Sequence, residues 1–473
     1  MAEWLKEPIQ WKGDHKSILL SPDNRTEPTS DLTIEQLMAN SSSFPVKFPI
    51  ETTRCWKLKD KTSAEILETN INSAYPLIHE YGLYLCSTFL LYQKTSGLCK
   101  EFYKKMSLVQ LIDRLLKKRA VMFLDPSDRY KLLSGETGMG DWESIGTTDE
   151  KPPLVLENCL SYDEIKLSAL LSVSSRSYFI NDGDRNNEGK FETDRSKVEE
   201  YGVVVGVIGT RLEKPKVMEY REIVKSKEQN NERNGYGVGC VSLQNEFLNF
   251  YGDECGTYED LVERMKNLED RYTDLGRGRF FDTLMYERRM AISFDTLLLE
   301  ANHRAKQESK MAYIHLVGIG LGVWKLYDRQ NQLFLNTCAH RLELLSDVLT
   351  NVSDVRFAYI RKGKTAGHYR AGAKIKGIKI HMVDKNPQEK LKEQDQGKLL
   401  VVSYAWDGNA LPGNEFWGGS LSGSGDPAAA CSTQVAELHN SHINGTVCGG
   451  RLRVATSKGV VTFQEYQSLH KDD

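Results

Sequence analysis

The residues of this 473-residue chain best suited to chemistry fall in three glycine-rich loops, each adjoining a hydrophobic run. The first leaves AYIHLV as Gly318-Ile-Gly320-Leu-Gly322-Val-Trp324. Glycines let backbone amides approach a ligand closely, and such amides can cradle a phosphate. Close strand-to-helix packing is the other use of the same residues. The second loop leaves LLVVSYAW as Asp407-Gly-Asn409-Ala-Leu-Pro412-Gly413-Asn414-Glu415-Phe416-Trp417. Two carboxylates and two amides can hold sugar hydroxyls, and Phe416 or Trp417 can wall a flat or apolar face. A polar turn with solvated acids is the plainer alternative. The third, Gly423-Ser424-Gly425-Asp426-Pro427, opens a helical run with Asp426 as the expected N-cap and Pro427 in the first turn. Ser424 and the neighbouring amides would make an anion site there, because the helix dipole favours negative charge.

Other groups are less pointed. Asn181, in the cluster Asn181-Asp-Gly-Asp-Arg185-Asn-Asn187, reads as a ligand contact or as part of a polar turn. Arg211 and the Arg288-Arg289 pair are able to reach a pyrophosphate or simply to be solvated. His439 and His442 sit three residues apart with no third ligand at metal spacing, so neither a metal nor a cofactor is expected. The phosphate-loop, zinc-protease and hydrolase-elbow motifs are absent from the sequence.

These loops need a scaffold. From residue 151 onward, β-branched runs at 203–209, 312–320, 355–360, 378–382 and 399–406 alternate with helical stripes. Met290, Phe294, Leu297, Ala301 and Ala305 form one stripe, and Phe334, Cys338, Leu342, Leu345 and Leu349 another. Alternation of this kind predicts an α/β domain over 151–473 with a parallel or mixed sheet. The run YDEIKLSALLSVSS from Tyr162 is expected to be helical. Residues 56–150 read as a helical region broken near Pro76, and residues 1–55 as an irregular arm. Lys and Arg number 62 against 65 Asp and Glu, a net charge of −3, so electrostatic nucleic-acid binding is not expected. With no long apolar run and no signal-like start, a cytoplasmic protein without membrane attachment is expected, nuclear access remaining open. Nine cysteines without a CxxC pair read as reduced thiols.

YIHLVGIGLGVWK, followed by LLVVSYAWDGNALPGNEFWGGSLSGSGDPAAACSTQVAELHN, resembles the macrodomain-like ADP-ribosyl hydrolases, in the branch distantly similar to poly(ADP-ribose) glycohydrolase. The resemblance covers roughly residues 155–470. It implies a three-layer α/β/α domain with an ADP-ribose pocket, and removal of ADP-ribose from protein side chains, arginine among them. By motif its catalytic acids fall on Asp407, Glu415 and Asp426. The three-glycine, Gln-Glu-Glu signature of the glycohydrolase is missing, which puts trimming of poly(ADP-ribose) in doubt. The expected ligands are ADP-ribose and ADP-ribosylated proteins. The pyrophosphate would lie on Gly318–Gly322 and near Asp426, and the distal ribose against Asp407, Glu415, Asn409 and Asn414. A non-catalytic ADP-ribose reader and a nicotinamide-dependent oxidoreductase are the alternatives. The second lacks both the G-x-G-x-x-G spacing and its ribose-holding acid.

Overall fold

The computed structural model describes residues 4–22, 30–124, 126–266, 268, 270–360, 363 and 365–471. Residues 23–29, inside the stretch expected to be irregular, lie outside the described residues. Ten strands form one mixed sheet: β1 (Tyr75–His79), β2 (Leu171–Tyr178), β3 (Tyr201–Val207), β4 (Ala312–Val317), β5 (Val352–Ala358), β6 (Lys374–Ile375), β7 (Ile378–Met382), β8 (Leu399–Ala405), β9 (Arg453–Thr456) and β10 (Gly459–Thr462). Their order across the sheet is β6-β7-β5-β4-β8-β3-β2-β1-β9-β10.

The five strands from β7 to β3 run parallel, and β2 then turns antiparallel to both β3 and β1. Strands buried on both faces read as unbroken apolar runs, as β3, β4 and β8 do, whereas β7 alternates, with Ile378 and Ile380 buried between more open residues. In β8, Leu400, Val401, Val402 and Tyr404 are all at most 3% exposed. Register sets His315 of β4 beside Val402 of β8, and Val402 beside Val204 of β3, so the strands end together at the glycine and acid loops.

Helix α1 (Thr283–Gln307) starts at Asp282, whose side chain accepts the Met285 amide, and buries the whole predicted stripe from Met290 to Ala305. Helix α2 (Gln330–Leu344) packs on α1 through Phe334 against Phe294. It ends before Leu345 and Leu349, which are buried from the turn beyond it.

Three local expectations fail. The run from Tyr162 is helical only over Tyr162–Ser168, started by a capping box between Ser161 and Glu164, and continues as β2. Its serines suit either state, and pairing to β1 and β3 on both sides decides for strand. Pro76 lies inside β1, opposite Val173 of β2, and pairing to β9 begins only at Leu77, so the missing proline N–H disrupts no ladder there. Residues 13–19 and 34–43 of the arm are helices, and Leu19, Ile34 and Leu37 are buried. These helices are too short to show a period in sequence. No helix among the described residues is long and apolar enough to cross a membrane.

Candidate active site

A cavity of about 750 Å³ opens at the carboxyl ends of β4, β8 and β3, where ligands gather in open α/β sheets. Gly318, Gly320 and Gly322 line one side, with Trp324 beyond them. Asp407 and Glu415 line another, and Ser424, Gly425 and Asp426 the start of helix α3 (Gly425–Ser432). The three loops singled out in sequence therefore meet, although more than 100 residues separate Gly318 from Asp426.

Gly320 adopts φ +71°, and a Cβ there would come within 3.1 Å of the backbone of Gly209 and Thr210. A Cβ on Gly209 would in turn lie 2.5 Å from the Gly320 nitrogen. The loops after β3 and β4 thus touch backbone to backbone. Gly322 differs, because a Cβ built on it meets nothing within 4 Å.

Asp426 is not the N-cap. Ser424 holds that place, and Asp426 is the second residue of the first helical turn, with both oxygens engaged, accepting the amides of Asp407 (3.0 Å) and Gly413 (2.7 Å). It ties the acid loop to α3. Ser424 does not cap either, and its hydroxyl donates to Glu415 Oε1 at 3.0 Å. Glu415 Oε2 is buried with no hydrogen-bond partner among the described residues.

Asn414 does not line the cavity but positions an acid that does. Its amide donates to Asp407 Oδ2 (2.5 Å) and to the Phe123 carbonyl (3.1 Å), and its oxygen accepts the Phe123 amide (2.8 Å). A strand from the 56–150 region, Met122–Leu124, therefore fixes the carboxylate. Burial and the neighbouring Glu415 charge push Asp407 up to about 7, against the Asn414 hydrogen bond. Burial and the charges of Asp407 and Glu415 raise Asp426 well above the carboxylate range, although two amides favour its charge.

Four expected contacts lie elsewhere. Phe416 and Trp417 are buried against Phe48 and Phe44 of the arm, with Trp417 Nε1 donating to the Pro412 carbonyl. They wall nothing in the cavity, whose aromatic lining is Trp324, Tyr359, Tyr404 and Trp406. Asn409 is buried outside the lining. Asn181 donates to the Asn187 side chain and to the carbonyls of Lys190 and Cys431, folding the 181–190 loop over α3 so that Gly183 and Arg185 reach the cavity.

The arginines suggested for phosphate are committed too. Arg211 pairs with Glu213 at 2.6 Å, Arg289 with Glu219 at 3.2 Å, and Arg288 donates to the carbonyls of Tyr251 and Gly252. His439 hydrogen-bonds Ser175 (2.9 Å) and Tyr404 (3.1 Å), held neutral by a pKa that burial lowers to about 3, and His442 meets the Lys117 carbonyl. Trp324 and Arg185 stood inside the quoted loops, but Tyr404 and Trp406 belong to a strand run whose periodicity marks them only as core.

Fold and cleft together define an α/β protein with a cavity lined by Asp407, Glu415 and Asp426 at the carboxyl ends of parallel strands. The chain matches the MavL-like ADP-ribosylhydrolases over residues 35–469, and it belongs to that family of ADP-ribosyl hydrolases. It is 41% identical over 442 residues to ADP-ribosylarginine hydrolase CG2909 of Drosophila melanogaster, a match spanning 90% of this chain and 87% of that protein. It is 42% identical over 435 residues to ADP-ribosylarginine hydrolase CG3568 of the same organism, spanning 88% and 84%.

Proposed function

We propose that this enzyme removes ADP-ribose from ADP-ribosylated arginine side chains, with a macrodomain-like ADP-ribose pocket in the cavity described above. The observation that carries the reading is the half-buried pair Asp407 and Glu415 lining the cavity on the loop leaving β8, with Asp407 oriented by Asn414 and pushed up to about 7. The arginine specificity named for the two Drosophila relatives supports the choice of substrate.

In this reading the pyrophosphate lies along Gly318–Gly322 and the first amides of α3, and the distal ribose above the acids. Water adds to the anomeric carbon as its bond to the arginine nitrogen breaks through an oxocarbenium-like state. Asp407 takes the proton that water loses, a role suited to a group poised near 7, and the proton ends on the freed guanidine. Glu415, with one oxygen on Ser424 and the other unpartnered, offers charge to the oxocarbenium or a contact to a ribose hydroxyl. Asp426 keeps the loop in place.

The test is release of ADP-ribose from a mono-ADP-ribosylated arginine protein. Wild type should turn over, and Asp407→Ala should lose about 10²–10⁴-fold in kcat while binding ADP-ribose within about tenfold. Binding of ADP-ribose without release from arginine would overturn the reading.

A further inference from the structure

We propose that Arg185 is the diphosphate-binding cation of this site: a guanidinium held at the cavity wall by the 181–190 loop, where it meets the negative charge of ADP-ribose. The proposal deepens the ADP-ribose reading above and rests on it.

The charges along the cavity wall call for such a group. Four carboxylates line it, Asp384, Asp407, Glu415 and Asp426, against two cations, Arg185 and Lys325. Lys325 pairs with Asp328 at 3.1 Å, and Arg211, Arg288 and Arg289 are held by partners of their own. Among the described residues, Arg185 is the cation of the wall whose side chain makes neither an ion pair nor a hydrogen bond. A diphosphate that leaves water for a wall this rich in carboxylate loses hydration that backbone amides replace only in part. An unpaired guanidinium, planar and able to grip phosphate oxygens with two parallel bonds, supplies the missing charge.

The loop fixes the main chain of Arg185 and leaves its side chain exposed. The buried Asn187 amide donates to the carbonyls of Asp184 (2.7 Å) and of Ala428 in α3 (3.0 Å), and its oxygen accepts the Gly189 amide (3.0 Å). Asn181 accepts the Gly183 amide at 2.9 Å. From the other side, the Gln388 amide donates to the Asp182 carbonyl (2.9 Å) and the Asn386 side chain to Asp182 Oδ2 (2.8 Å). The Arg185 carbonyl accepts the Gly423 amide at 3.2 Å, which sets the residue beside Ser424 and the start of α3. The acids of the loop do not take the guanidinium. Asp182 accepts the Asp184 amide and the Asn386 side chain, and Asp184 accepts the Asn186 amide. Arg185 is thus an uncommitted cation on a prearranged backbone, next to the helix start where the diphosphate is placed.

Arg185→Ala and Arg185→Lys test this in the full chain by calorimetric titration with ADP-ribose at low and high salt, beside a melt of the ligand-free protein. Arg185→Ala should weaken ADP-ribose binding by about tenfold at low salt. The salt dependence of the affinity should flatten in that variant, because the charge that salt screens is gone. Its ligand-free melting temperature should match wild type, since the main-chain bond to Gly423 remains. Arg185→Lys should keep the salt dependence and recover part of the affinity, an ammonium offering the charge without the fork. Affinity within about twofold of wild type in Arg185→Ala overturns the proposal. So does a loss that comes with a lower melting temperature and an unchanged salt dependence, which would make Arg185 a support of the loop. Wild type that binds no ADP-ribose overturns the proposal together with the pocket. Wild type that binds ADP-ribose yet releases none from arginine overturns the hydrolase reading alone, and the affinity comparison still decides the role of Arg185.

Discussion

Asp407 lies half-buried at the cavity wall, and the same surroundings that would suit it to proton transfer also set a cost on its charge. Burial and Glu415 hold its folded-state pKa near 7, above the ordinary 3.8. Stability that the protonated acid provides is complete below about pH 4 and is lost as pH rises through about 7. Removing the acid should therefore stabilise the ligand-free protein at alkaline pH. Asp407→Asn should melt above wild type at pH 8, by a free energy on the order of 2–4 kcal/mol, with the gap closing by pH 4. Glu415→Gln removes the like charge, so the acidic limb of kcat/KM should move to lower pH even as kcat falls. A limb moving upward would show that Glu415 is not the charge that holds Asp407 up.

At the scale of elements, two glycines of one loop have different tasks. Gly320 is fixed by a left-handed φ and by backbone contact with Gly209, whereas Gly322 faces open space. Gly320→Val should cost stability, roughly 1–3 kcal/mol from strain and crowding, and lose binding as a consequence. Gly322→Val should keep the wild-type melting temperature and still weaken ADP-ribose binding, because its side chain would project into the cavity. Calorimetric titration beside a thermal melt separates them. If Gly322→Val binds normally, the loop only joins strand to helix.

For the whole molecule, the amino-terminal arm is packed into the carboxyl-terminal part of the chain that carries the cavity loops. Ser41 Oγ, Arg54 Nε and the Cys55 amide all donate to the buried Glu437 carboxylate, at 2.5, 3.3 and 2.7 Å. Phe44 and Phe48 cover Phe416 and Trp417 at the end of the acid loop. Phe48→Ala should cost about 3–5 kcal/mol in urea unfolding, because it opens a cavity under Trp417. Loss of less than about 1 kcal/mol would mean that the arm lies loosely on the surface. Deleting residues 1–55 should abolish folding, since it strips Glu437 of its partners as well.

By itself the sequence determined the parallel strands, the two long helices and the three loops from which the cavity is built. Each of those features is local: an unbroken β-branched run, a 3.6-residue stripe, or a glycine cluster after a strand is written within about twenty residues. The family resemblance lay in the same stretches. Tertiary structure alone decided which loop residues face the cavity. Phe416 and Trp417 turned away because an arm some 370 residues upstream supplies their apolar surroundings. Asn414 became a support for Asp407 because Phe123, nearly 300 residues earlier, pairs with it. Side-chain direction, burial and charge pairing depend on partners that chain spacing does not encode, so loops were legible as loops while the roles within them waited for the fold.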